Sequence, residues 1–142
     1  SEGKQAFVIL KLLLEFSDKK CPILIDQPED SLDNRAIYQE LVEYIKSKKK
    51  NRQIILVTHN SNVVVSADAE NVIVANQEGS NSHNRGNYKF QYINGALEQT
   101  TKRNPDEPII LNSQGIREHV CDILEGGKLA FEKREQKYGF GK

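Results

Sequence analysis

Two short apolar blocks, separated by one amphipathic segment, place the strongest limit on how this chain can fold. Residues 21–26 contain Ile23, Leu24 and Ile25 and end at Asp26, and residues 53–58 are mostly apolar and end at Thr58. Blocks of this length and composition are typical of strands in a parallel sheet. Between them, residues 34–46 repeat apolar side chains at helical spacing, which predicts the crossover helix of a strand–helix–strand unit.

The flanking segments extend this pattern. Residues 4–16 predict a largely buried helix, residues 62–67 a short helix and residues 71–75 a third parallel strand. The Gly-, Ser- and Asn-rich residues 77–87 predict a mobile loop. An antiparallel hairpin is then expected, with residues 88–92 and 96–101 as its strands and Asn94-Gly95 as its turn. Ser113 can cap a helix to residue 124, and residues 128–138 predict another helix.

These elements predict an α/β fold of three layers with parallel strands, followed by the hairpin and C-terminal helices. We expect segments 1–76, 77–112 and 113–142 to form one structural domain. The chain has 20 Lys and Arg against 20 Asp and Glu, a mean hydropathy of −0.61, and no apolar run of the roughly 18 to 20 residues that a membrane span requires. We therefore expect a cytoplasmic protein with no membrane partner.

A balanced charge also means that any contact with nucleic acid must come from a local patch. Five cations lie in residues 46–52, although cations also favour the end of a helix for purely structural reasons. Tyr88, Phe90 and Tyr92 alternate along one strand and could stack bases, although alternating aromatic side chains more often cover a core.

The densest group of chemically active side chains follows the first apolar block. Asp26, Glu29, Asp30 and Asp33 lie within eight positions. Ligands bind at the carboxyl edge of parallel sheets, and an aspartate at a strand end is suited to hold Mg²⁺ through water. The simpler alternative is that these acids cap the next helix and face solvent.

Two further features accompany the acids. His59 follows the second block, so adjacent parallel strands would bring Asp26 and His59 to one edge. Ser1, Glu2 and Gly3 precede the first helix, and a helix N-terminus can bind a phosphate through its free N–H groups.

In their order and spacing, these features resemble the second half of an ABC-type ATPase head, in the branch of the chromosome-maintenance and double-strand-break-repair ATPases. Residues 1–5 resemble the signature motif without its leading leucine, residues 23–26 the Walker B strand, residues 31–33 the D-loop, and His59 the switch histidine. The sequences of residues 26–34 and of residues 123–131 also resemble those of the bacterial AAA-like ATPases of the TrlF type, which are often joined to an N-terminal PHP phosphoesterase domain.

The resemblance implies a role for each matching residue. Asp26 would hold Mg²⁺ through water, His59 would contact the γ-phosphate, and Asp33 would communicate across a head-to-head dimer. Ser1 and Gly3 would contact the ATP bound by the partner head. Most members of the family place the catalytic glutamate directly after the Walker B aspartate, where this chain has Gln27.

Glutamine can orient a water molecule but cannot accept its proton. Either Glu29 acts as the general base, or the head hydrolyses ATP slowly and works as a nucleotide-controlled clamp. The sequence contains no phosphate loop of the Walker A type. We therefore expect an upstream Walker A half, binding of ATP and Mg²⁺ only in the intact protein, and no turnover by this piece alone. The resemblance further implies action on DNA or RNA, in repair or defence.

Two other functions stay open at this point. The four acids could form a metal-dependent phosphoesterase or nuclease site of the Toprim kind, which would need a further glutamate on a neighbouring strand. Alternatively, the domain could keep the fold as a non-catalytic interaction module, a reading that Gln27 supports.

Overall fold

The computed structural model describes residues 2–15, 21–31, 35–84 and 88–123. The chain divides into two compact units, residues 1–63 and residues 64–142. The structure is mixed α/β, with one parallel and one antiparallel strand pair. In the described residues, no helix is both long enough and apolar enough to cross a membrane.

The first unit contains the predicted strand–helix–strand arrangement. Helix α1 spans Glu2–Glu15, strand β1 Ile23–Asp26, helix α2 Arg35–Lys48 and strand β2 Ile54–Val57, and a short 3-10 helix at Pro28–Ser31 follows β1. The two strands pair in parallel, with Ile23 opposite Ile54 and Asp26 opposite Val57. Among the described residues, the buried apolar side chains of this unit come from α1, β1 and α2, together with one residue after β2: Phe7, Ile25, Leu41, Val42, Tyr44, Ile45 and Val63.

Helix α1 is less buried than its composition predicts. Phe7 is buried, and its ring meets that of Tyr44 edge to face with 6.5 Å between the ring centroids. By contrast, Val8, Ile9 and Leu12 are each about half exposed. The expectation of a largely buried helix is therefore wrong for the side chains that the structure describes, because only one side of α1 finds a packing partner in this unit.

Short helix α3 (Ser61–Ser66) follows β2 and confirms the expectation for residues 62–67 to within one residue at each end. Its last part and the strands after it belong to the second unit.

The second unit is built on strand β3 (Val72–Gln77) and strand β4 (Phe90–Gly95). They pair antiparallel, with Val72 opposite Gly95 and Gln77 opposite Phe90. The prediction of a third parallel strand is therefore wrong. One face of this pair contributes to the core, because Val72 and Val74 pack with side chains from elsewhere in the unit: Val65, Leu111, Ile116, Val120 and Cys121.

The predicted hairpin is also corrected. Asn94 and Gly95 do not form its turn but end β4, opposite Ile73 and Val72, and residues 96–101 form no strand. A side chain at position 95 would collide with its surroundings, since a Cβ atom there would lie 2.1 Å from Oε1 of Gln99 and 3.1 Å from Cγ1 of Ile116. Gly95 thus lies in close packing against Ile116 and the Gln99 side chain rather than in a turn.

The connection between β3 and β4 contains fixed structure where a mobile loop was expected. The backbone groups of Gly79 and Ser82 exchange two hydrogen bonds of 3.3 Å. The side chain of Asn84 is buried; it accepts a hydrogen bond of 2.9 Å from Nδ2 of Asn76 and donates one of 3.2 Å to the carbonyl of Tyr88. These amide contacts tie the connection to β3.

Helix α4 (Ile116–Ile123) completes the described part of the second unit. It begins three residues later than predicted, because Ser113 ends the 3-10 helix Ile110–Asn112 and its hydroxyl donates to the carbonyl of Ile110 at 2.7 Å. The helix predicted at residues 128–138 lies outside the described residues.

Candidate active site at the end of the parallel strands

The chain turns sharply where β1 ends. Gln27 has a φ of 42°, in the left-handed region that is unfavourable for residues other than glycine. Its N–H donates to the carbonyl of Val57 at 2.8 Å, which extends the ladder one residue beyond the strand. Pro28, whose ring fixes φ near −65°, then begins the 3-10 helix that holds Glu29. Asp26 and Gln27 are both exposed at this edge.

Glu29 reaches back from the 3-10 helix to the residues that follow β2. Its Oε1 accepts a hydrogen bond from the hydroxyl of Thr58 and one of 3.1 Å from the backbone N–H of His59. The Glu29 side chain is only 7% exposed. Its second oxygen, Oε2, is buried and has no hydrogen-bond partner among the described residues.

His59 lies beside the same carboxylate but is exposed to solvent. Its side chain is 66% exposed, and its Nδ1 lies 3.5 Å from Oε1 of Glu29. The imidazole is therefore accessible to a ligand at this edge, and it forms an ion pair with Glu29 whenever it is protonated.

The structure thus brings together Glu29 and His59, two of the three residues that the sequence predicts to be catalytic. Gln27, the third, lies between β1 and Glu29 along the chain. Thr58, which the sequence reasoning placed at this edge without a role, makes the contact that joins the two strand ends. The sequence feature that could have indicated this role is the position of Thr58, a hydroxyl-bearing residue directly before His59 at the end of an apolar block.

Asp26 is the one predicted contact to Mg²⁺ at this edge, and a single carboxylate leaves the other ligands of the ion to water and a bound molecule. Asp26 is exposed at the strand end, so its hard carboxylate oxygens can reach a metal-bound water. Within the described ranges, no three His, Cys, Asp or Glu side chains converge as ligands for a metal ion. Asp26 would be the contact to Mg²⁺, and the metal would polarise the phosphates of a bound nucleotide.

Of the predicted nucleotide-binding residues, the structure describes only Gly3. It lies in the first turn of α1, one residue after the start of the helix. Ser1 and Asp33 lie outside the described residues, as do the side chains of Asp30 and Ser31.

The basic cluster of residues 46–52 makes several contacts within its own unit. Nζ of Lys48 lies 3.0 Å from a carboxylate oxygen of Glu15, and Nε of Arg52 donates to the carbonyl of Cys21 at 2.8 Å. Lys46 pairs with Glu43 at 3.7 Å. These cations stabilise local structure whatever else they bind.

The alternating aromatic side chains do not cover the core. Phe90 is 51% exposed and Tyr92 is 63% exposed, on the face of the β3–β4 pair opposite to the core. Tyr88 is exposed too, and Nζ of Lys89 lies 5.5 Å from the ring centroid of Phe90. The expectation that they pack against the core is wrong, because the inward positions of β4 alternate with those of Phe90 and Tyr92 and include Ile93.

A buried polar network in the second unit was not anticipated either. His119 is buried; its Nε2 lies 3.1 Å from the carbonyl of Leu111 and its Nδ1 lies 3.2 Å from Nε2 of Gln114. The same amide nitrogen lies 2.6 Å from Oδ2 of Asp122. A carbonyl can only accept, so Nε2 of His119 carries the proton and Nδ1 accepts from the amide. This network stabilises α4.

No protein-family model matches the chain, and no curated protein matches it in sequence.

Proposed function

We propose that this chain is the C-terminal lobe of an ABC-type ATPase head that binds and hydrolyses ATP in the intact protein. The observation that carries the proposal is the contact of Glu29 with Thr58 and His59 at the carboxyl edge of a parallel strand pair. An acidic residue after one strand and a histidine after the next meet at the edge where a nucleotide binds in folds of this kind.

In this proposal, hydrolysis uses Glu29 as the general base. The oxygen of a water molecule bonds to the γ-phosphorus, the bond from phosphorus to the ADP oxygen breaks, and the proton of the water passes to Glu29. Gln27 orients the water, and exposed His59 contacts the γ-phosphate. Asp26 holds Mg²⁺ through water.

The partners follow from the same proposal. An upstream Walker A half of the same protein supplies the phosphate loop and completes the three-layer P-loop fold. Exposed apolar side chains support such a partner, since Leu24 is 67% exposed and Ile55 and Val57 are each nearly half exposed on one face of the β1–β2 pair. Parallel sheets are normally covered on both faces. Ser1, Gly3 and Asp33 would act across a head-to-head homodimer with ATP at its interface, and the head would act on DNA or RNA.

The test measures ATP hydrolysis by the full-length protein that contains this chain, with and without DNA or RNA. Glu29→Gln and His59→Ala should each abolish turnover, while Glu43→Gln, an exposed glutamate on α2, should leave it unchanged. The isolated chain should show no turnover. Full activity in Glu29→Gln would refute the assignment of the base.

Gln27 favours a second candidate, a nucleotide-controlled clamp. If the full-length wild type binds ATP but is inert, and Gln27→Glu gains turnover, the head works as a binding switch rather than as an efficient ATPase. Equal, rapid turnover by the wild type and Gln27→Glu would exclude the clamp.

A further inference from the structure

The hydroxyl of Thr58 has a defined direction. Oγ1 of Thr58 accepts a hydrogen bond of 2.9 Å from the N–H of Asn60 and has one proton of its own to donate. That proton can go to Oε1 of Glu29 or to the carbonyl of Asn60, which lies 3.4 Å away. The carboxylate is the stronger acceptor because it is charged. The hydroxyl is therefore fixed between Asn60 and Glu29.

Asn60 is itself held at the start of α3. Its Oδ1 accepts a hydrogen bond of 3.0 Å from the N–H of Asn62, and its carbonyl accepts one of 3.0 Å from the N–H of Val63. A short series of contacts thus runs from α3 through Asn60 and Thr58 to the carboxylate of Glu29.

The two oxygens of Glu29 consequently differ. Oε1 accepts from both Thr58 and the backbone of His59, whereas Oε2 is buried without a partner among the described residues. An unpaired carboxylate oxygen in a buried position is costly, so the two hydrogen bonds to Oε1 are the contacts that hold this carboxylate.

We propose that Thr58 is a positioning residue for ATP hydrolysis, which binds Oε1 of Glu29 and so fixes the orientation of the carboxylate that takes the proton of the attacking water. This inference rests on the proposed function, and it adds a residue that the function alone does not specify. Thr58 does not touch the reacting atoms; it acts through the orientation of Glu29.

The first test uses steady-state kinetics of the full-length protein. Thr58→Val keeps the shape of the side chain but removes the hydroxyl, and we expect kcat to fall about 10- to 100-fold while the Kd for ATP stays within about twofold. Thr58→Ser keeps the hydroxyl and should restore most of kcat. Thr100→Val is the matched control, because Thr100 donates to Glu118 in the second unit in the same way. Full kcat in Thr58→Val would overturn the proposal.

The second test needs no ATPase activity and uses this chain. A double-mutant cycle combines Thr58→Val with Glu29→Ala and follows urea unfolding. A hydrogen bond to a charged group joins the two side chains, so their effects should not be independent. The unfolding equilibrium constant of the double variant should differ by about tenfold from the value expected if the effects of the two single substitutions simply multiplied. If Glu29→Ala does not fold, Glu29→Gln replaces it with an expected coupling of about fivefold, since the acceptor remains and only its charge is lost.

The outcomes separate the two proposals. Independent effects in the cycle would overturn the positioning role even if the full-length protein hydrolyses ATP. Coupling together with an inert wild type would refute the proposed function and reduce Thr58 to a structural contact. Coupling, a fall in kcat and rescue by serine would together support both.

Discussion

Tyr44 on α2 gives the first unit a defined sensitivity to alkaline pH. The side chain is buried, and its hydroxyl donates to the carbonyl of Lys11 at 3.3 Å. Burial, with the nearby negative charge of Glu15 as a second cause, raises the pKa of Tyr44 from 10.0 to about 12. The neutral phenol is therefore favoured by folding.

This difference in pKa sets both the size of the effect and its pH range. A shift of two units corresponds to about 2.7 kcal/mol of unfolding free energy. Because the folded pKa is the higher one, this stabilisation is complete below about pH 10 and is lost as the pH rises toward 12. At about pH 11.5, linkage gives a loss of about 2 kcal/mol.

Tyr44→Phe isolates the contribution. At neutral pH the variant should be less stable than the wild type by about 0.5 to 1 kcal/mol, because it lacks one long hydrogen bond. At about pH 11.5 the order should reverse, with the variant more stable by about 1 kcal/mol. Urea unfolding followed by circular dichroism at both pH values measures this, and Tyr92→Phe, at an exposed position in the other unit, serves as the control.

A direct titration checks the premise. The phenolate absorbance of the folded wild type minus that of Tyr44→Phe should have its midpoint near pH 12. A midpoint near 10, or no reversal of the order of stability, would refute the reasoning from burial.

Three further outcomes are expected. Asn84→Ala should lower the unfolding free energy by about 2 kcal/mol because it removes two buried side-chain hydrogen bonds, whereas Asn81→Ala, an exposed asparagine of the same connection, should change it by less than about 0.5 kcal/mol in urea unfolding. Burial acts to raise the pKa of Glu118. The hydrogen bonds that Glu118 accepts from the hydroxyl of Thr100 and from the backbone N–H of Thr101 outweigh burial and leave that pKa below its ordinary value of 4.5. Its stabilisation is thus present above about pH 4.5 and lost below it; Thr100→Val should reduce this acid sensitivity in thermal melts, and an unchanged profile would contradict it. Gln27→Val should cost about 1 to 2 kcal/mol because a β-branched residue tolerates a φ of 42° poorly, whereas Gln27→Gly should cost less than about 0.5 kcal/mol; equal stabilities would show that the left-handed backbone is not populated.

The strand–helix–strand unit was predictable because its signals are local. Apolar side chains at helical spacing in α2, such as Leu41, Tyr44 and Ile45, are the ones that the structure buries. The two apolar blocks became β1 and β2 with the expected parallel pairing, and this pairing placed Glu29 near His59.

The pairing of β3 was not predictable from local signals. Asn94-Gly95 is a strong turn signal over two residues, but the choice of partner depends on which residues reach a shared core. Val72, Val74 and Ile93 all pack with Leu111 and Ile116, which come from much later in the chain. Burial of these side chains favours pairing β3 with β4 over a tight hairpin with residues 96–101.

Within the site, the sequence indicated which residues meet but not how. The contact of Glu29 with Thr58 depends on the left-handed turn at Gln27, and glutamine has no marked preference for that conformation. Neither the periodicity nor the composition of this segment predicts a left-handed backbone at Gln27.

The parallel pairing also determines when the site can form during folding. Ile23 and Ile54 are opposite each other across β1 and β2, so the intervening chain must close a loop of about 30 residues before a single ladder bond forms. The antiparallel pair grows from Gln77 and Phe90, which are far closer in sequence. Contacts at longer separation form more slowly. We therefore expect Glu29, Thr58 and His59 to come together late, and a chain arrested early in folding to have an ordered β3–β4 pair without the contact of Glu29 with Thr58.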